Sequence, residues 1–96
     1  MAQIGSYIVT TKENSEYLEK LIIEALEANK GMATLIDVSK YIWDKYKNDL
    51  KERGNLFYTW QYDMRWSALL LRDKKILVRG RSKIWELTNE YKTKLK

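Results

Sequence analysis

The sequence predicts a mostly α chain with a small β-ribbon, arranged as a winged helix-turn-helix. That means a three-helix core, a two-stranded wing and a short C-terminal helix. Three observations carry this expectation. Across residues 58–72 the apolar side chains recur at helical spacing, with Trp60, Met64, Ser67 and Leu71 in one line. Tyr62, Trp66, Leu69 and Leu70 widen that line into a broad apolar face. Beyond it, residues 76–78 and 83–87 are β-prone runs separated by Arg79-Gly80-Arg81-Ser82, the pattern of a tight basic hairpin. The charge is also one-sided. Through Met64, eight Lys/Arg stand against ten Asp/Glu (net −2), whereas from Arg65 onward ten stand against three (net +7).

Taken in order, residues 1–12 are β-prone without strict alternation, and an extra strand, a dimer contact or a frayed end all fit. Asn14 or Ser15 can cap the first helix, with Glu16 and Glu19 in a first turn where the helix dipole favours negative charge. Leu18, Leu21, Ile22, Ala25 and Leu26 form its buried stripe, and Asn29-Lys30-Gly31 ends it, with Gly31 free to take the left-handed C-cap conformation. Met32-Ala33 is placed for a minimal first strand. Thr34 caps a second helix, with Asp37 at the capping-box position. Leu35, Val38, Tyr41, Ile42 and one of Trp43 or Tyr46 make its apolar set; residues 47–53 stay helix-prone but lose the period, and Gly54-Asn55 stops them. Helix three begins within residues 55–58, with Asn55 as its cap. After the wing, Thr88 or Asn89 can cap a short helix over residues 90–95. The chain therefore reads as one domain over 1–96: an N-terminal segment 1–12, a core 13–88, and a tail or short helix 89–96.

Composition narrows the function. There is no histidine and no cysteine, which removes the commonest general base, the nucleophile–His pairing and zinc sites built on His or Cys. The acidic residues are scattered along helix patterns, so we expect no enzyme and no cofactor. The N-terminal residues lack a basic-then-apolar leader pattern and no run reaches the roughly 18 apolar residues of a membrane span. The expectation is a cytoplasmic protein that does not enter membranes.

The basic half is where an anionic partner would be recognised. Opposite the apolar face of helix three lie Tyr58, Gln61, Arg65, Ala68 and Arg72. Arginine can donate twice to a guanine edge and glutamine can pair twice with adenine, and both lie one helical turn apart here, with small Ala68 leaving room beneath. Asn55 and Tyr58 at the helix start can bond phosphates or base edges. On the wing, Arg79, Arg81 and Lys83 flank Gly80 and can reach a phosphate strand or the minor groove. The bland alternatives are a solvated polar face and an edge strand protected by charge. Of the four Trp and seven Tyr, which together could form base-stacking platforms, Trp60, Trp66 and Trp85 fall on core stripes; Trp43 and Tyr46 fit either role.

The stretch RWSALLLRDKKILVRGRSKIWELT resembles the N-terminal winged-helix domain of Mrr-type restriction endonucleases. The resemblance rests on Arg65-Trp66-Ser67, Leu71, Ile76-Leu77, Arg79-Gly80 and Trp85-Glu86-Leu87-Thr88, with Gly31-Met32-Ala33-Thr34 and Val38…Ile42 similar to the family's entry into helix two. It implies that the third helix and the wing contact DNA, through Gln61, Arg65, Arg79 and Arg81. Where the family has a glycine before the first wing strand, this chain has Lys75; a positive φ there would carry a cost, so the link is expected to be built differently. The 96 residues show no counterpart of the nuclease domain, so no cleavage is implied. The expected partner is double-stranded DNA, bound as a homodimer because one such module covers little sequence. The alternative is a winged helix that serves as a protein-interaction module in a larger assembly.

Overall fold

A computed structural model of the chain describes residues 11–80 and 83–94. The alternatives for residues 1–12 therefore lie outside the described residues, except that Thr11 and Lys12 open the first helix. Arg81 and Leu95 lie outside them as well.

Helix α1 runs over Lys12–Ala28 and is capped by Thr11, whose extended backbone lets its hydroxyl accept the Asn14 N–H at 3.1 Å. The cap expected at Asn14 or Ser15 is thus set three or four residues too late, because Thr11 offers the same chemistry earlier. Ser15 instead turns inward and is buried. The expected stripe of Leu18, Leu21, Ile22, Ala25 and Leu26 is buried throughout. The helix ends in a Schellman turn: the Lys30 N–H donates to Glu27 O at 3.2 Å and the Gly31 N–H to Leu26 O at 2.7 Å. The left-handed cap position is Lys30 (φ 64°), and Gly31 follows at φ 99°, one place beyond its expected role.

Strand β1 (Met32–Thr34) leads directly into α2 (Leu35–Lys51), where the Thr34 hydroxyl accepts the Asp37 N–H at 3.1 Å as expected. Tyr46 leaves helical geometry (φ −120°, ψ 15°), which resets the phase of the helix. That break explains why residues 47–53 lose their apolar period, although Leu50 beyond it is fully buried with Val38 and Ile42. Arg53 then lies 3.6 Å over the Tyr17 ring and donates to the Asn14 side chain at 3.2 Å, pinning the turn against α1. Gly54 takes φ 68° in that turn. Asn55 precedes α3 (Leu56–Asp73), but its backbone is already helical (φ −62°, ψ −22°) and its side chain makes no capping bond.

Helix α3 packs along α1, where Ser67 and Ser15 meet with hydroxyls 3.4 Å apart and the Ser67 hydroxyl donates to Ser15 O at 3.3 Å. These two small residues let the axes approach. The buried face of α3 is Leu56, Trp60, Asp63, Met64, Ser67, Ala68 and Leu71. It is rotated from the expected one: Tyr62 (59% exposed), Trp66 (44%) and Leu69 (37%) remain on the surface, while Ala68 is buried. The cause is the wing, which closes over the Ala68 flank and leaves the Trp66 flank outside.

A second Schellman turn ends α3, with Lys75 N–H donating to Arg72 O and Ile76 N–H to Leu71 O, both at 3.0 Å. Contrary to the expectation of a different link, Lys75 takes a positive φ, 66°, where the resemblance would place glycine, because the Schellman turn requires a left-handed residue at that position. Strands β2 (Leu77–Arg79) and β3 (Ile84–Leu87) form the wing, and β1 joins them to give an antiparallel sheet in the order β1-β3-β2. Leu77, Leu87, Trp85 and Ala33 share the inner face by register and are buried. The Thr88 hydroxyl accepts the Tyr91 N–H at 3.1 Å and so starts α4 (Asn89–Lys94). The chain is thus a winged helix-turn-helix in layout, and no helix among the described residues is long and apolar enough to cross a membrane.

Candidate nucleic-acid interface

The position of the cations follows from register. Arg79 pairs with Trp85 across the β2–β3 ladder, and two steps before it Leu77 pairs with Leu87. Directly opposed residues share a face, so Arg79 lies on the sheet face that turns toward α3 rather than on the Val78–Glu86 face. On α3, Arg65, Ala68 and Arg72 follow one another at three- and four-residue steps, which stacks them on the flank beneath the wing. Ala68 is small enough for the sheet to approach, and Trp85, only 8% exposed, backs the seam.

The result is an open groove of about 290 Å³ between α3 and the wing, lined by Arg65, Arg72, Arg79 and Lys83 with Ala68, Trp85 and Leu35. Four cations from two elements meet there. The ion pairs formed between described residues, Lys45–Glu24 and Lys74–Glu19, both lie elsewhere. The groove cations are therefore not neutralised by those carboxylates, and an anion would be their natural counterpart. Gly80 N–H donates to Ile84 O at 2.7 Å, closing the hairpin, and Lys83 sits at φ 65° just after the wing tip.

Of the residues expected to contact DNA, four thus meet in this groove. Gln61 and Tyr58 line a different depression, of about 460 Å³, with Trp43, Phe57 and Trp60. Asn55 is exposed on the turn before α3, apart from the groove lining. Arg81 lies outside the described residues.

The sequence reading missed the part played by four residues. Leu35 and Trp85 form groove walls, and no local pattern marks them, since their role comes from sheet register. Trp43, which fitted either core or surface, is 37% exposed; it stacks on Trp60 (centroids 6.1 Å apart, 8° between planes) and on Phe57 (6.0 Å, 30°). Asp63 was assigned no role, yet it is 3% exposed on α3, and burial pushes its carboxyl up to about 6. The Thr59 hydroxyl donates to it at 2.7 Å, an i, i+4 pair that the T-x-x-x-D spacing could have suggested. Among the described residues, no group of three or more His, Cys, Asp or Glu could hold a metal ion.

Comparison of the chain with protein-family models, with curated proteins and with solved structures gave no match.

Proposed function

We propose that this protein binds double-stranded DNA without catalysing a reaction, as a cytoplasmic regulator or as the recognition module of a restriction-like system. Helix α3 enters the major groove and the wing lies on the adjacent backbone or minor groove. The observation that carries this reading is the convergence of Arg65, Arg72, Arg79 and Lys83 on one groove. A flexible lysine-rich tail would not need two elements to aim cations at a common point. The resemblance of residues 65–88 to Mrr-type winged-helix domains points the same way.

The test is a salt series with a random-sequence duplex, wild type beside Arg65→Ala/Arg79→Ala. Each phosphate contact contributes about −0.9 to the slope of log affinity against log salt. The double variant should therefore bind more weakly and lose roughly two units of slope. Absence of wild-type binding at low salt would remove the reading.

A second reading has its own observation. Trp66 and Leu69 stay exposed on the other flank of α3, and Trp66 borders a cleft of about 360 Å³ with Leu70, Ser15, Glu16, Lys12 and Lys74. Such an aromatic edge suits a protein contact, with a second copy or with another chain. Under this reading, Trp66→Glu abolishes association in sedimentation analysis while the Arg65→Ala/Arg79→Ala variant retains it.

A further inference from the structure

The depression at the start of α3 has a chemistry that the basic groove does not. Its walls are Trp43, Phe57, Tyr58 and Trp60, and Gln61 supplies an amide at its edge. Tyr58 is 80% exposed, and Phe57 and Tyr58 meet edge to face at 5.2 Å. One face of Trp43 is backed by the nearly parallel Trp60 ring, and the Lys47 ammonium sits 5.6 Å from the Trp43 centroid. An aromatic plane, a bidentate amide and a lysine ammonium are thus gathered in one place. Gln61 is one helical turn from Arg65, so this depression continues the surface that begins at the basic groove.

We infer that the Trp43–Tyr58–Gln61 depression takes an unpaired nucleobase of the DNA strand that α3 follows. The inference rests on the DNA-binding reading above and extends it to the ends or distorted steps of the duplex. The base stacks on the exposed aromatic surface of Trp43 and Tyr58, Gln61 reads its hydrogen-bonding edge, and Lys47 swings from the indole to the neighbouring phosphate. Two other occupants fit less well. A quaternary ammonium would suit the aromatic rings but would meet the Lys47 cation already over Trp43. An apolar helix from a protein partner would desolvate Gln61 and Lys47 without offering either a partner.

The experiment compares three DNAs at one low salt concentration: a blunt duplex, the same duplex with a three-nucleotide overhang, and a short oligothymidine. Wild type should bind the overhang duplex about tenfold more tightly than the blunt one, within the range expected for stacking a base on an aromatic side chain. Tyr58→Ala removes a side chain that is 80% exposed, so the fold survives, and it should erase most of that preference by lowering overhang affinity by a clearly larger factor than blunt-duplex affinity. Trp43→Ala should do the same and Trp43→Phe should restore it in part. Arg65→Ala/Arg79→Ala should weaken both duplexes by the same factor. Blunt and overhang duplexes bound equally, or a preference that survives Tyr58→Ala and Trp43→Ala, overturns the base site and leaves the duplex reading intact. If neither duplex binds but oligothymidine quenches the tryptophan fluorescence and Tyr58→Ala abolishes the quenching, the base site holds and the duplex reading fails. If nothing binds, both fail.

Discussion

Among the described residues, three lysines hold left-handed backbone conformations: Lys30, Lys75 and Lys83. At the first two, the Schellman turns dictate the conformation, and a Cβ there costs roughly 1 kcal/mol relative to glycine, less the extra freedom glycine has when unfolded. Lys75→Gly should therefore raise stability by about 0.5–1 kcal/mol in urea unfolding, without altering the α3 boundary. Lys83 differs in lining the basic groove, so Lys83→Gly would also remove a cation from the anion-binding surface. Asp63 makes the second residue-scale case. Its carboxyl is raised from 3.8 to about 6 by burial, so the folded state resists ionisation. Stability from this group is full below pH 3.8 and falls as the pH rises through 6, because the unfolded chain loses its proton first. Asp63→Asn keeps an acceptor for the Thr59 hydroxyl and should stabilise the protein at pH 8 by on the order of 1–2 kcal/mol. The gain should vanish near pH 4, as thermal unfolding across pH would show.

At the scale of elements, the Glu24 carboxylate of α1 gathers three donors from α2. Glu24 accepts from Lys45, from the Tyr41 hydroxyl at 2.6 Å and from the Tyr46 hydroxyl at 2.6 Å. Those hydrogen bonds, Lys45 first, hold its carboxyl at about 2, below the usual 4.5. Here the sign is opposite to that of Asp63. The contribution is present above pH 4.5 and disappears as the pH falls through 2. Glu24→Gln should lower Tm at neutral pH, and the difference from wild type should close toward pH 2. Tyr46 is also where α2 leaves helical geometry, so this clamp fixes the break and keeps Leu50 in the core beyond it. A Glu24→Gln protein should accordingly exchange the amide hydrogens of residues 46–51 faster, which hydrogen exchange can read.

The molecule as a whole separates its charge. The α1 and α2 side is slightly acidic, and the cations gather where the second half of α3 meets the wing. If position rather than total charge governs DNA affinity, Lys20→Ala/Lys51→Ala removes as much charge as Arg65→Ala/Arg79→Ala with little effect. Its affinity should stay within about twofold of wild type near 0.1 M salt, since exposed charges more than roughly 10 Å from the contact are screened. An equal loss from both variants, measured by fluorescence anisotropy, would mean that the groove has no special part.

Much of this architecture is local and was legible in the residues. The α1 stripe, the Thr34 cap, the strand runs and the basic hairpin each follow from period, capping chemistry or β propensity within a few positions. The link at Lys75 was misjudged: the cost of a positive φ argued for a different turn, yet the Schellman turn that ends α3 imposes φ 66° there. The burial face of α3 was not legible either. Nearly every side of that helix carries an apolar residue, so periodicity leaves Trp66 and Ala68 close competitors, and only the wing packing over Ala68 decides between them. The break at Tyr46 likewise hid Leu50, since a phase shift cancels the pattern on which such a reading depends. The Arg79 face depends on which residue of β3 lies opposite, and a shift of one residue would point it outward. The sequence by itself determined which residues are helical, extended or cationic. Only tertiary packing decided that four of the cations share a groove and that Trp43 and Tyr58 border a separate one, because both depend on contacts between segments distant in the chain.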